Sequence, residues 1–458
     1  MPKKGRSSRA ASNYDPTKSL MRAQLQPELE PLARQLYEQA CCGSRSLWGD
    51  LAQLRAEGLA TDKELAKKFY SLANAGMRAA QREIVDRVSC SEDISASEEV
   101  LYRGVGDAIA WQFLDHQLCH ARRMFKEQAP PSLKHSNFES VVRAANHIET
   151  QHPDSMPLIT DLTSFVQVGD IFASIPGQGM VTIEVKEGEE NKRIADFLKF
   201  YSETHCDRAL ELFVTQSGPK SVKQLGRMLR QVDRMSHFQE VVATGQSRDP
   251  DTGHTVRIPD EKIFMDTWDE ELRRTLENDA GKGWLIDVID DCLFLGAYFD
   301  PKMIAAGHVA FNSWFDHSGG TAECPRARLV DAMRIPLALP LFSRHIPEER
   351  IFDLLFGRVH VCLGVNVEAL LTRCKKEGLK VEPLSRRTTS QLQQKGLHPY
   401  LHNGQAVSIG DGSGNDMVIY DGIFLRMLFH GQRPVSLIQA LLNNAREEDA
   451  QGQPNGDT

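Results

Sequence analysis

The chain has 458 residues, a formal net charge of -8 and a pI near 6.0, with a hydrophobic share of 41% that supports real cores rather than disorder. The acidic balance argues against a protein that coats long stretches of duplex nucleic acid, but not against an enzyme that touches a few phosphates. No run has the apolar length of a membrane span, no signal-peptide core opens the chain, and the nine cysteines lack Cys-x-x-Cys spacing, so the expectation is a cytoplasmic protein without a zinc ribbon, disulfide framework or membrane partner.

Residues 1–16 form a polar basic tail, read as disordered. Residues 17–130 read as a helical region. Leu65, Phe69, Leu72, Ile84 and Val88 fit one face of a long helix. Ser95-Ala96-Ser97-Glu98 has the form of a capping box, followed by Leu101, Val105, Ile109 and Phe113 at four-residue steps. Pro130-Pro131 closes that region.

A module over 131–245 carries the chemistry. Gly169-Asp170-Ile171-Phe172 reads as strand, Gly177-Gln178-Gly179 as a tight turn, and Val181-Thr182-Ile183-Glu184-Val185-Lys186 as the returning strand. Side chains alternate faces along a strand, so Glu184 and Lys186 project together while Val185 points to the core, and the turn brings Asp170 beside them. Two acids can hold a hard divalent cation through oxygen, and a lysine beside them can orient water or stabilise negative charge. The competing reading is a surface ion pair on an edge hairpin. Acid-x-Lys triplets also occur at Glu190-Asn191-Lys192 and Asp260-Glu261-Lys262, but without a partner aspartate on an adjacent strand. Ile171, Val181, Ile183 and Val185 tip the balance, because charges at the end of a buried strand need a reason.

After Ser217-Gly218-Pro219, helical spacing continues to about Val242, with Val222, Leu225, Leu229 and Val232 as the expected core stripe. Lys220, Lys223, Arg227, Arg230 and Arg234 recur displaced around the helix, with Gln224 and Gln231 between them. Only Asp233 offsets these five cations, so this face is a candidate phosphate track as well as an ordinary solvated face.

The strand residues Thr163 to Ile171 followed by Ile183-Glu184-Val185-Lys186 resemble the PD-(D/E)xK nuclease superfamily, over about residues 162–244. The resemblance implies a restriction-endonuclease-like mixed sheet, with Asp170 and Glu184 as ligands of Mg²⁺ or Mn²⁺, the Val185 backbone carbonyl near the metal, and Lys186 as the catalytic lysine. Glutamine and basic residues on the following helix are similar to those of many superfamily members. The superfamily also contributes an acid from upstream. Glu139 is the choice here, with Glu149, Asp107 and Asp161 as alternatives.

Residues 246–283 read as a linker, with an exposed loop or hairpin and then a helix near 265–278. Residues 284–442 read as a separate α/β or α+β unit, with a strand at 359–365, a helix at 368–376 and a strand at 379–381. Three features there read as structural. Gly410 to Asp416 is a hairpin turn, since strand rather than helix follows it; Ser318 lacks a nucleophile elbow; and His360 is a core histidine. Residues 443–458 read as a disordered tail.

The expected fold class is therefore multidomain α/β. The expected function is a metal-dependent nuclease acting on nucleic acid, DNA by preference, in defence against foreign or phage DNA. The alternative is a catalytically silent nuclease fold, or a scaffold or effector working through its C-terminal region, where a protein partner or a second copy could dock.

Overall fold

The computed structural model describes residues 24–47, 63–126, 128–186, 188–248, 253, 255–258, 266–277, 283–300, 302–412 and 416–452. The expected tail over 1–16 lies outside them, as do parts of the 246–283 linker and the last six residues. The described chain combines helices with several small sheets, all of them antiparallel. The coarse α/β reading therefore holds.

The chain opens, among the described residues, with helices α1 (Glu30–Cys41), α2 (Lys63–Cys90), α3 (Ala96–Phe113) and α4 (Leu118–Met124). The capping box forms as its spacing requires: Ser95 Oγ accepts from Glu98 N–H at 3.2 Å, and Ser95 N–H donates to Glu98 Oε2 at 2.8 Å. Leu101, Val105 and Ile109 on α3 are buried. Helix α5 (Phe138–Gln151) leads into β1 (Met156–Ile159), β2 (Ile171–Ile175) and β3 (Gly179–Ile183), an antiparallel meander in the order β1-β2-β3. Helices α6 (Glu189–Thr204), α7 (Asp207–Gln216) and α8 (Pro219–Thr244) follow.

The expected mixed sheet is not what the described residues form. After α8 the chain enters β4 (Gln246–Arg248), which pairs with β5 (Thr255–Arg257) as a separate hairpin instead of adding a parallel strand to β1-β2-β3. The α8 stripe also differs from expectation. Leu225, Met228, Phe238 and Val241 are buried, but Val232 is exposed because the helix packs one face further round toward Phe238.

Helix α9 (Asp269–Glu277) precedes a four-stranded sheet of β6 (Trp284–Ile289), β7 (Leu293–Tyr298), β8 (Arg326–Arg328) and β9 (His360–Val365), ordered β6-β7-β9-β8. Helices α10 (Met303–His317) and α11 (Glu348–Leu355) lie between its strands in sequence. Then come α12 (Val367–Lys376), β10 (Lys380–Pro383), α13 (Arg386–Gln394), β11 (Leu401–His402), β12 (Gln405–Gly410), β13 (Asp416–Val418), α14 (Gly422–Phe429) and α15 (Pro434–Gly452). The strand–helix–strand at 359–381 is present, but its two strands belong to different sheets, since β10 pairs with β12 and not with β9. Gly410 pairs with Asp416 across β12 and β13, with residues 413–415 between them outside the described residues, and Ser318 caps α10 by donating to Trp314 O. Helix α15 runs to Gly452, past the point where the sequence suggests a tail.

One hydrophobic core runs from α1–α4 through β1 and β2 into the β6-β7-β9-β8 sheet, across segments the sequence divides. Trp111 of α3 donates its indole N–H to Ala338 O, and Leu25 N–H reaches Leu355 O. These join residues 25 and 111 to the chain's later part at 355 and 338. All nine cysteines are free thiols, and no helix among the described residues is long and apolar enough to cross a membrane.

Candidate metal and phosphate site on the β2–β3 hairpin

The hairpin is built from its turn outward. Gly177 and Gly179 take φ of 81° and 78°, and Gln178 N–H closes on Ile175 O at 3.0 Å. The register then pairs Ile171 with Ile183 and Phe172 with Thr182, which sets Asp170 opposite Glu184 just beyond the last strand pair. Strand β3 ends at Ile183, so Glu184, Val185 and Lys186 lie past its end rather than inside it.

The two faces of the hairpin have different company. Ile171, Ala173, Ile175, Val181, Ile183 and Val185 pack against Val141, Ala144, Ala145 and Ile148 of α5. Phe172 on the other face meets Phe113 of α3 and Phe238 of α8, with ring centroids 5.5 and 5.9 Å apart. By alternation Asp170 and Glu184 share the face that α8 covers. Helix α5, and with it Glu139, lies behind the opposite face.

Gly169 holds the bend before Asp170. Its φ is 78°, and a Cβ there would stand 3.0 Å from Ile183 O. Gly169→Ala is expected to lower stability by about 1–3 kcal/mol, through left-handed strain and the steric clash together. A melting curve checks this; an unchanged midpoint would show that the bend tolerates a side chain.

Asp170 Oδ2 accepts from Val185 N–H at 2.7 Å. Glu184 Oε1 accepts from Lys186 Nζ at 2.5 Å and from Gln231 Nε2 at 2.8 Å, while Gln231 Oε1 lies 3.3 Å from Lys186 Nζ. Glu184 and Lys186 therefore do form an ion pair, but at 15% and 20% exposure instead of on an open surface, and they are tied to α8 through Gln231. Glu184 Oε2 is buried with no hydrogen-bond partner. Burial, then the Glu184 charge, raises the pKa of Asp170 to about 6; Val185 N–H and Lys186 oppose the shift, and the Asp161 charge adds to it.

That shift carries a sign for stability. A carboxyl whose folded pKa lies above its unfolded 3.8 binds more protons folded than unfolded, so it loses stability as pH rises from about 4 to about 6, and the full cost remains above that window. Asn in place of Asp170 keeps an acceptor for Val185 N–H and removes the charge. Without added metal, Asp170→Asn is expected to melt a degree or two, roughly, above wild type at pH 7.5 and level with it near pH 4. A lower melting point at pH 7.5 would contradict this.

The upstream acids separate clearly. Glu139 is exposed on α5 and lies 3.6 Å from Arg143, so the structure does not bring it to the hairpin face. Glu149 bonds Arg82. Asp107 is buried and accepts from Ser164 N–H and Oγ at 2.7 and 2.6 Å, with burial raising its pKa to about 7. It clamps the 160–164 turn. Asp161 sits on that turn, exposed, where its charge acts on Asp170.

On α8, Lys220, Lys223, Arg227 and Arg230 are exposed and Arg234 is half-buried. Arg227 and Arg234 stand one turn to either side of Gln231, which itself touches Glu184 and Lys186. The basic stripe therefore borders the acidic pair. Gln224 does not join it, being half-buried and donating to Asn191 Oδ1 at 3.1 Å.

No family model, no curated protein and no solved structure matches this chain. Among the described residues, one group of three or more His, Cys, Asp or Glu brings its donor atoms within 4.8 Å of one another: His308, His360 and Cys362. It lies outside the hairpin, and it is not specific to Mg²⁺ or Mn²⁺. Sequence reading missed it. The available signal was His360-x-Cys362, which places both side chains on one face of a strand.

Proposed function

We propose that this protein is a metal-dependent nuclease that hydrolyses phosphodiester bonds of nucleic acid, DNA by preference, in a role such as defence against foreign DNA. The observation that carries the reading is the shared face of Asp170, Glu184 and Lys186, joined through Gln231 to the helix that bears the basic stripe. The donor set fits a divalent cation: burial and then the Glu184 charge raise the proton affinity of Asp170, and Glu184 Oε2 is a buried oxygen without a partner. Asp170, Glu184 and the Val185 carbonyl would hold Mg²⁺ or Mn²⁺. Such an ion supplies Lewis acidity at a phosphoryl oxygen and lowers the pKa of its water.

The chain's own groups do the rest. Lys186, held by Glu184 and Gln231, places an ammonium where charge accumulates at phosphorus or where water must be oriented. Arg227 and Arg230 grip phosphates beside the reacting one. Val185 N–H fixes the Asp170 carboxylate.

The test is cleavage of supercoiled plasmid, linear duplex, single-stranded DNA and RNA with Mg²⁺ or Mn²⁺. Metal-dependent cutting of any of them supports the reading and names the substrate class. The runner-up is a nuclease fold that binds without cutting. The observation favouring it is that, among the described residues, Asp170 and Glu184 belong to no group of three His, Cys, Asp or Glu whose donor atoms lie within 4.8 Å of one another. Binding of DNA with no cutting under either metal would decide for it.

A further inference from the structure

The geometry points to a second metal site, a zinc-type centre made by His308, His360 and Cys362, between α10 and the buried strand β9. It does not depend on the nuclease reading.

His360 and Cys362 alternate on β9, so their side chains leave the same face of the sheet. They are 2% and 1% exposed, in a strand whose six residues are all buried. Cys362 Sγ lies 3.2 Å from His360 Nε2 and 4.0 Å from Nδ1 of the half-buried His308. A tetrahedral zinc, with Zn–S of about 2.3 Å and Zn–N of about 2.0–2.1 Å, separates its sulfur and nitrogen ligands by roughly 3.5 Å. The two observed distances bracket that value.

Two glycines create the room. Gly296 is the β7 residue opposite Cys362, and a Cβ there would stand 2.9 Å from Phe311 of α10. Gly307 immediately precedes His308, and its Cβ would stand 2.6 Å from the Tyr298 ring. Helix and sheet can therefore approach closely enough for a helix histidine to reach a strand cysteine. Larger residues at either position would push α10 away.

The donor chemistry selects the ion. One thiolate and two imidazoles suit Zn²⁺, with Co²⁺ as its spectroscopic substitute, and do not suit Mg²⁺. Arg328 faces Cys362 across β8–β9, but its guanidinium is paired with Asp331 at 2.8 Å, so it does not oppose a cation with its full charge. Three protein ligands leave a fourth position for water or an exogenous group. The half-buried His308 marks the side from which it is reached.

The experiment is metal analysis of the full-length protein after chelation and reloading with Zn²⁺, with a parallel Co²⁺ titration followed by absorption. One equivalent of zinc per chain is expected, together with a thiolate-to-cobalt charge-transfer band and the d–d bands of a tetrahedral ion. The charge-transfer band should vanish in Cys362→Ala and persist in Asp170→Asn. Should Cys362→Ala fail to fold, His308→Ala at its half-buried helix position serves instead, with Co²⁺ affinity expected to fall by at least about a hundredfold. Absence of the cobalt spectrum in wild type would overturn the proposal. So would a spectrum unchanged in folded Cys362→Ala or His308→Ala.

Discussion

Replacing Lys186 by alanine is expected to lower metal-dependent cleavage by about a hundred- to a thousandfold, the range observed when one preorganised donor to developing charge is removed. The loss should fall on the cleavage rate and leave nucleic-acid binding near the wild-type value, because the ammonium sits beside the acidic pair and not on the exposed stripe of α8. Arginine should not rescue it. The space is shaped by Glu184 and Gln231 around a compact ammonium, and a planar guanidinium differs from it in shape and hydration. Asp170→Ala should be at least as severe and should also abolish the dependence on Mg²⁺ concentration. Single-turnover cleavage beside a binding titration checks all of this. Equal rates for wild type and Lys186→Ala would remove the hairpin from the chemistry, whatever nuclease activity the preparation shows.

The meeting of Asp170, Glu184 and Lys186 is legible in the sequence because two local rules decide it. The Gly177-Gln178-Gly179 turn sets the register, and the period of two sets the face. The upstream acid is not legible in the same way. Glu139 directly precedes the strand region in sequence, yet α5 packs on Ile171, Ala173 and Ile175, behind the sheet. Only the packed structure says which side of a hairpin a helix covers. Asp161 acts on Asp170 from a turn that a buried aspartate, Asp107, holds from another helix. Neighbours fixed by tertiary contacts escape periodicity altogether. His308 and Cys362 are 54 residues apart and come together only because two glycines let α10 settle on β7 and β9. The same limit applies to Val232. Helical spacing marks an apolar stripe but not how far the helix is rotated against its neighbours.

Reversing three charges of the α8 stripe, as Lys223→Glu, Arg227→Glu and Arg230→Glu together, is expected to weaken binding of duplex DNA by two to three decades, roughly, at 0.1 M salt. The slope of log affinity against log salt should fall by about three, since each phosphate contact releases close to one counterion. The electrostatics make the prediction sharp. The chain carries a net charge of -8, so its overall field repels a polyanion and cannot supply the attraction that the stripe would. The three side chains are exposed and make no ion pair with a described residue, so their replacement should leave the melting temperature nearly unchanged. Gln231, on the same helix, is the control in the other direction. Gln231→Ala removes the hydrogen bonds to Glu184 and Lys186, so it should slow cleavage while leaving the salt slope as it was. The two variants thus separate gripping from chemistry on one helix. If the triple reversal leaves both affinity and salt slope unaltered, nucleic acid does not run along α8, and the acidic pair must meet its phosphate from another side.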